Sequence, residues 1–252
     1  MRFPPRGGLR AFNLKVSLII PAYNEAERLG AALAQILAYA ADRKWDSEVL
    51  VVNDGSRDST AQIARSFAQH NPTVRLLENP GNRGKGYAVR HGMSAATGDL
   101  LLFTDADLSS PIAESEKLFA AIAAGADVAI GSRWLNSALQ THRQPRHRQF
   151  LGRAFNLALR LFLGLKEKDT QCGFKAFNRR AASTIFPRQR IERWGFDPEI
   201  LFLAHRFKLV VAEVPVEWGH DHRSTIHPFR DGLRMFAELL AIRRNAIIGR
   251  YR

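Results

Sequence analysis

The 252-residue chain predicts an α/β fold, a Rossmann-like and mostly parallel sheet flanked by helices. Three observations carry this. From Val16 to Gly131, short apolar runs alternate with helix-forming stretches, the order that a parallel sheet with crossover helices requires. Each apolar run ends on polar or glycine-rich sequence, where ligands of such sheets bind. A hydrophobic content of 46% supplies a sizeable core.

The strands fall at Val16 to Ile20, Glu48 to Asn53, Val74 to Leu77, Leu100 to Thr104 and Asp127 to Ile130. Between them, Glu27 to Ala41, Ser59 to Gln69 and Ile112 to Ala124 carry helix formers with apolar residues spaced by three and four. Asp58 or Ser59 is the expected N-cap of the second helix. Beyond Ser132 the pattern changes to longer helices and isolated short strands. The second half is therefore expected to pack against the first rather than extend its sheet, within one compact unit. Phe229, Leu233, Phe236, Leu240 and Ile247 share one face of a basic amphipathic helix.

The strand exits carry the chemistry. Leu100-Leu101-Leu102-Phe103 runs into Thr104-Asp105-Ala106-Asp107. Ionised aspartate is costly to bury unless it is paired or metal-bound. Mg²⁺ or Mn²⁺ bridging the phosphates of a nucleotide accounts for the pair, and an aspartate-rich turn or helix cap before Pro111 is the plainer explanation. The first exit is Pro21-Ala22-Tyr23-Asn24-Glu25 and the second Asp54-Gly55-Ser56, with Tyr23 suited to stacking a base and Asp54 to accepting from a nucleobase or ribose. Gly81-Asn82-Arg83-Gly84-Lys85-Gly86 leads into a helical pattern through Ala96. Its glycines let backbone amides approach a phosphate or base. Tyr87-Ala88 stand where a P-loop needs Lys-Ser/Thr, and G-x-G-x-x-G is absent, which disfavours NTPases and NAD enzymes.

The formal net charge is +13 and it is clustered. Arg133, Arg143, Arg146, Arg148 and Arg153 lie in a stretch without acids, and His222 to Arg252 holds seven arginines against Asp231 and Glu238. Arginine suits bidentate phosphate binding. The single cysteine, Cys172, excludes an intramolecular disulfide and suits a reducing compartment. His220, His222 and His227 are poorly spaced for zinc. No apolar run is long enough to span a bilayer, and Met1 to Lys15 has no apolar signal core. A basic nucleic-acid-binding module is the non-enzyme alternative for such a surface, but nucleic acid is not the expected partner, because no recognition-helix, zinc-finger or aromatic RNA-binding pattern is present.

Together, Val-Ser-Leu-Ile-Ile-Pro-Ala-Tyr-Asn-Glu from Val16, Val-Val-Asn-Asp-Gly-Ser from Val51, Asn-Arg-Gly-Lys-Gly from Asn82 and Asp-Ala-Asp from Asp105 resemble the ordered motifs of family 2 inverting glycosyltransferases of the GT-A fold. Asp169 to Lys175, Glu192 to Asp197 and Glu213 to Trp218 resemble the dolichyl-phosphate β-glucosyltransferases, and the polyprenyl-phosphate mannosyltransferases share much of this pattern. The resemblance spans Val16 to about Arg244. It implies a single GT-A domain over 1–252, with a nucleotide-sugar-binding half at 16–131, an acceptor half at 132–228 and a C-terminal amphipathic helix at 229–248.

The resemblance also implies roles. Pro21, Ala22, Tyr23, Glu25, Asp54, Gly84 and Lys85 would cradle the nucleoside of UDP-glucose. Asp105, Ala106 and Asp107 would meet Mg²⁺ or Mn²⁺ and the diphosphate, which requires the chain to bend there, since side chains two apart on an ideal strand lie ~6.6 Å apart. Arg133, Arg148 and Asn156 would approach the phosphate of a polyprenyl or dolichyl acceptor, with Gly152 standing where the family carries serine. Asp169 would recognise sugar or orient an arginine or Lys175, and Lys175 itself counts among the catalytic candidates. Asp197 serves either the site or a helix cap. A phosphate acceptor, with a second pKa near ~6, is already an anionic nucleophile at neutral pH. A hydroxyl acceptor, the rival within the family, needs a base at Asp169 or Asp197. The eukaryotic relatives carry an N-terminal anchor, whereas Met1 to Lys15 here cannot span a membrane. The expectation is a peripheral enzyme at the cytoplasmic face, docking through Phe150, Phe155, Leu159 to Leu163 and the Phe229 to Ile248 helix. Arg223 and Ser224 would serve the substrate.

Overall fold

The computed structural model describes residues 14–140, 156–219 and 228–252. Arg143, Arg146, Arg148, Phe150, Gly152, Arg153, Phe155, His220, His222, Arg223, Ser224 and His227 lie outside the described residues. In chain order the elements are β1 (Lys15–Ala22), α1 (Ala26–Asp42), β2 (Asp46–Asn53), α2 (Thr60–His70), β3 (Val74–Glu78), α3 (Lys85–Ala95), β4 (Leu100–Phe103), α4 (Ser115–Ala123) and β5 (Val128–Ser132). A helical segment at 156–163, α5, follows. The chain then forms β6 (Lys175–Asn178), α6 (Arg179–Ile185), α7 (Phe196–Arg206), β7 (Val211–Pro215) and α8 (Pro228–Ile247).

Strand alternation sends apolar side chains to both faces of the sheet, as a two-sided α/β layer demands. Ile19, Leu50, Val52, Leu101 and Phe103 enter one core with Ala88, Val89 and Met93 of α3. Val16, Leu18, Ile20, Val49, Val51 and Leu102 enter the other, where α1 lays down Leu29, Leu33 and Ile36 on its buried stripe.

The seven strands run in the order β3-β2-β1-β4-β6-β5-β7. All pairings are parallel except those of β6, which is antiparallel to both β4 and β5. The expectation that the second half would not extend the sheet is thus corrected, because β6 is inserted inside it and β7 forms an edge. The four residues of β6 include the fully buried Lys175, so the segment is too short and too mixed to read as a strand. The strand order reverses at β1, whose neighbours are β2 and β4, and this opens a crevice at their carboxyl ends. Ser59 is the N-cap of α2 but makes no side-chain cap bond. Asp58 instead accepts from the Thr60 and Ala26 amides, tying the starts of α2 and α1 together.

At the opposite end of the sheet, Glu48 is buried and accepts from Ser17 Oγ (2.7 Å), Thr97 N (2.5 Å), Thr97 Oγ1 (2.8 Å) and Arg75 Nη1 (3.0 Å). Burial acts to raise its pKa, but these donors outweigh it and hold the carboxyl at about 2. A folded-state pKa below the unfolded value contributes stability above the ordinary carboxylate range, and that contribution is lost as pH falls towards 2. Glu48→Gln is therefore expected to destabilise the protein at pH 7 and to flatten an acid loss on the order of 3 kcal/mol. Urea unfolding across pH 2 to 7 reads this directly.

Candidate active site

The first two strand exits are laced together. The Asp54 amide donates to Ala22 O (2.8 Å), the Asn24 amide to Ser56 Oγ (3.0 Å) and the Arg57 amide to Asn24 Oδ1 (2.9 Å). Tyr23 stands 40% exposed above them. The buried Asp54 carboxylate accepts from Asn79 Nδ2 (2.7 Å), Arg83 N (3.0 Å) and Gly84 N (2.7 Å). Its acidity thus builds the glycine loop, and a nucleoside would meet a carboxylate already held in place. Gly84, at φ 113°, is the N-cap of α3, and a Cβ there would stand 2.5 Å from Glu192 O. Only glycine fits this approach. Glu192 also pairs with Arg83 (2.8 Å), so the 192–195 turn lies against the loop, with Trp194 beside the Lys85 ammonium. Glu238 of α8 accepts from Gly195 N (2.7 Å) and fixes that turn from behind.

The chain bends after β4, as joint ligation by two aspartates requires. The Leu108 amide closes a turn on Asp105 O (3.1 Å), Leu108 takes φ 47°, and the Ser109 amide donates to Asp107 Oδ1 (2.9 Å). Ala106 is buried in the core between them, which leaves both carboxylates on the outer side of the bend. Lys85 Nζ contacts Asp105 Oδ1 at 2.5 Å. Burial lowers the pKa of Lys85, but the charges of Asp105, Asp197 and Asp107 outweigh it and the net shift is upward. Glu25 is shifted upward too, first by burial and further by Asp107 and Asp105, against the opposing Arg28. The charges of Asp105 and Asp107 are thus felt at both Lys85 and Glu25, so negative charge is concentrated at the bend.

On the other flank, Arg133 grips the fully buried Asp169: Nε donates to Oδ2 (2.7 Å), Nη2 to Oδ1 (2.7 Å) and the Arg133 amide to Oδ2 (3.0 Å). Burial opposes ionisation of Asp169, but Arg133 holds its pKa below the usual range and is itself shifted upward. Glu213 accepts from the amides of Lys168 (2.8 Å) and Asp169 (2.8 Å) and sets the segment in place. Trp218 faces the Arg133 guanidinium at 5.4 Å and also lines a cleft with Thr104, Asp105, Ser109, Cys172 and Gly173. The Gly219 amide donates to Ser109 O (2.8 Å), closing this wall onto the aspartate bend.

Two sequence expectations change in kind. Lys175 is fully buried, donating to Asp197 Oδ1 and to Cys172 O (2.5 Å), so it braces the cleft wall from behind. Asn156 is also buried, donating to Lys168 O (2.6 Å) and accepting from Thr170 Oγ1 (2.6 Å), which makes it a brace for the Asp169 segment. Asp197 is in the first turn of α7, its pKa raised by burial against the pull of Lys175. Sequence reasoning assigned no role to Glu213, Trp194 or Glu238. The first two stood inside quoted motifs, whereas Glu238 gave no signal.

The Glycosyl transferase family 2 model matches residues 17–186. The chain is 38% identical to dolichyl-phosphate β-glucosyltransferase of Drosophila melanogaster, over 95% of this chain and 78% of the relative, and 35% identical to the human enzyme of that name, over 94% and 78%. With dolichyl-phosphate β-glucosyltransferase ALG5C of Trichomonas vaginalis it shares 41% identity over 81% of its own length, and the match spans 63% of that relative. A glucosyl-3-phosphoglycerate synthase from Mycobacterium tuberculosis, solved with Mn²⁺, uridine diphosphate and glucosyl-3-phosphoglycerate, superposes with a TM-score of 0.70 at 20% identity, over 96% of this chain and 84% of that one. This likeness is one of fold, GT-A. The strand-exit motifs, the aspartate bend they surround and these likenesses over most of the chain converge on one statement: the chain belongs to glycosyl transferase family 2, among the dolichyl-phosphate β-glucosyltransferases.

Proposed function

We propose that this protein transfers glucose, with inversion, from UDP-glucose to the phosphate of a dolichyl or related polyprenyl phosphate. The observation that carries this reading is Trp218, which faces the Arg133 guanidinium and lines the same cleft as Asp105. Trp218 thus links Arg133, the arginine read as binding the acceptor phosphate, to the cleft that Asp105 lines. The relatives' names supply donor sugar and acceptor class.

The donor set fits Mg²⁺ or Mn²⁺. No group of three or more His, Cys, Asp or Glu side chains suited to a metal occurs among the described residues. Asp105 and Asp107 offer oxygens only, which matches a hard cation that takes its remaining ligands from phosphates and water. Bound there, such a cation would neutralise charge developing on the departing diphosphate. The chain's own residues do the rest. Asp54 and Gly84 shape the nucleoside loop, and Arg133, locked in orientation by Asp169, presents its guanidinium to the acceptor phosphate. A hydroxyl acceptor would need a free carboxylate as base. Arg133 occupies both oxygens of Asp169, and Lys175 holds the buried Asp197, which favours the phosphate. A donor panel with polyprenyl phosphate and Mn²⁺, following diphosphate release and glycolipid formation, tests the reading. Glycolipid only with UDP-glucose supports it, and transfer to hydroxyl acceptors without lipid phosphate refutes it.

Attachment to the cytoplasmic face of a membrane belongs to the same reading. No helix among the described residues is long and apolar enough to cross a bilayer. However, α5 and α8 lie side by side, joined by Phe162 with Phe236 and by Arg243 with Phe162 O, and expose Leu157, Leu161 (75%), Phe236, Leu240 and Ile247 (83%) beside Arg234 and Arg244. Apolar side chains flanked by arginines suit an anionic lipid surface. Co-sedimentation with anionic liposomes at low salt, reduced by Leu161→Ser with Phe236→Ser, is the expected result.

A further inference from the structure

Lys85 opens α3 and faces the aspartate bend. Its backbone is fixed, because Asp54 holds the Gly84 amide and the 192–195 turn packs against Gly84. Its side chain reaches across the cleft to Asp105 Oδ1 at 2.5 Å, passing the Trp194 ring, and is 18% exposed against 35% for Asp105. Behind Asp105 stands Gly173, where a Cβ would lie 2.3 Å from Oδ2. The Asp105 carboxylate is therefore seated between a glycine wall and an ammonium. Asp107 and Asp197 add negative charge around that ammonium. A divalent cation approaching Asp105 must compete with a positive charge already on its oxygen, and two cations cannot share that oxygen without strong repulsion. A diphosphate is the ligand that resolves this competition, since lysine is a compact point charge on a flexible stem that follows the strongest nearby anion.

We infer that Lys85 is an exchangeable countercation: it neutralises Asp105 in the free protein and passes to the donor's diphosphate as the divalent cation takes the carboxylate. This rests on the reading of Asp105 and Asp107 as the cation and diphosphate site. It makes cation and nucleotide binding interdependent, so that each raises the affinity of the other by the same factor. It also keeps the aspartate bend folded against self-repulsion before substrate arrives.

The test is an electron paramagnetic resonance titration of Mn²⁺ into the full chain, with and without UDP, using the wild type, Lys85→Met and Lys85→Arg. The wild type is expected to bind Mn²⁺ weakly alone and at least ~10-fold more tightly with UDP. In Lys85→Met, Mn²⁺ alone should bind ~5-fold or more tightly than in the wild type, and the gain from UDP should shrink. Lys85→Arg, whose fork grips a carboxylate more firmly, should bind Mn²⁺ alone more weakly than the wild type and gives a folded variant of opposite sign. Mn²⁺ affinity without UDP that is unchanged or reduced in Lys85→Met, or unchanged in Lys85→Arg, overturns the inference and leaves the assigned function standing. Failure of the wild type to bind Mn²⁺ even with UDP overturns the cation site itself.

Discussion

Asp107→Asn is expected to lower turnover by about 10²–10³-fold while leaving the fold intact, the scale seen when one element that stabilises developing charge is removed. The substitution separates two functions of one side chain. Asp107 Oδ1 accepts from the Ser109 amide and shapes the bend after β4, and asparagine keeps that acceptor. What disappears is the negative charge. The loss should therefore fall on kcat and on the Mn²⁺-dependent part of UDP affinity, with an unchanged thermal midpoint. Asp107→Ala removes the turn bond as well and should add a measurable loss of stability. If Asp107→Asn turns over like the wild type, the bend is only a turn, the plainer explanation open to an Asp-x-Asp sequence standing alone.

Much of this site was legible because the parallel sheet collects its strand exits on one edge. Once Val16, Glu48 and Leu100 begin strands, Tyr23, Asp54 and Asp105 must neighbour one another, whatever the helices do. The flank built around Arg133, Asp169 and Lys175 was less legible for two physical reasons. Its framework is antiparallel and interrupted, so β6, four residues long with a buried lysine, shows no strand periodicity. Its polar residues also bind one another across long separations. Whether Lys175 reaches substrate or lies beneath the cleft depends on Asp197, 22 positions away, and the partner of Asp169 lies 36 positions earlier. Charge clustering in the sequence pointed to phosphate, but it could not show that Arg133 is locked by a buried carboxylate. Asn156 illustrates the same limit: its spacing from Arg148 suits a shared helix face, yet its amide is occupied by Lys168 and Thr170.

Asp169→Asn tests that lock. Both oxygens of Asp169 accept from Arg133, one from Nη2 and the other from Nε and the amide. Asparagine keeps one acceptor and turns an N–H₂ group towards a donor, so at least one bond is replaced by a donor facing a donor. The buried site cannot supply water to relieve it. Breaking a buried ion pair costs about 3–5 kcal/mol, and the part-exposed guanidinium, 22% accessible, brings the expected loss to roughly 2–3 kcal/mol. The protein should still fold. Arg133 should then leave its place against Trp218, and transfer should fall ~10²-fold or more through misplaced acceptor phosphate. Nucleotide binding is the discriminating measurement, because Asp169 touches neither the glycine loop nor the aspartate bend. UDP affinity in Mn²⁺ should match the wild type while kcat/KM for the lipid phosphate collapses. Arg133→Lys, which retains charge and loses the fork, should show the same split with a smaller stability cost. Equal losses in UDP affinity and transfer would mean that Asp169 serves the whole fold and that the acceptor phosphate is held elsewhere.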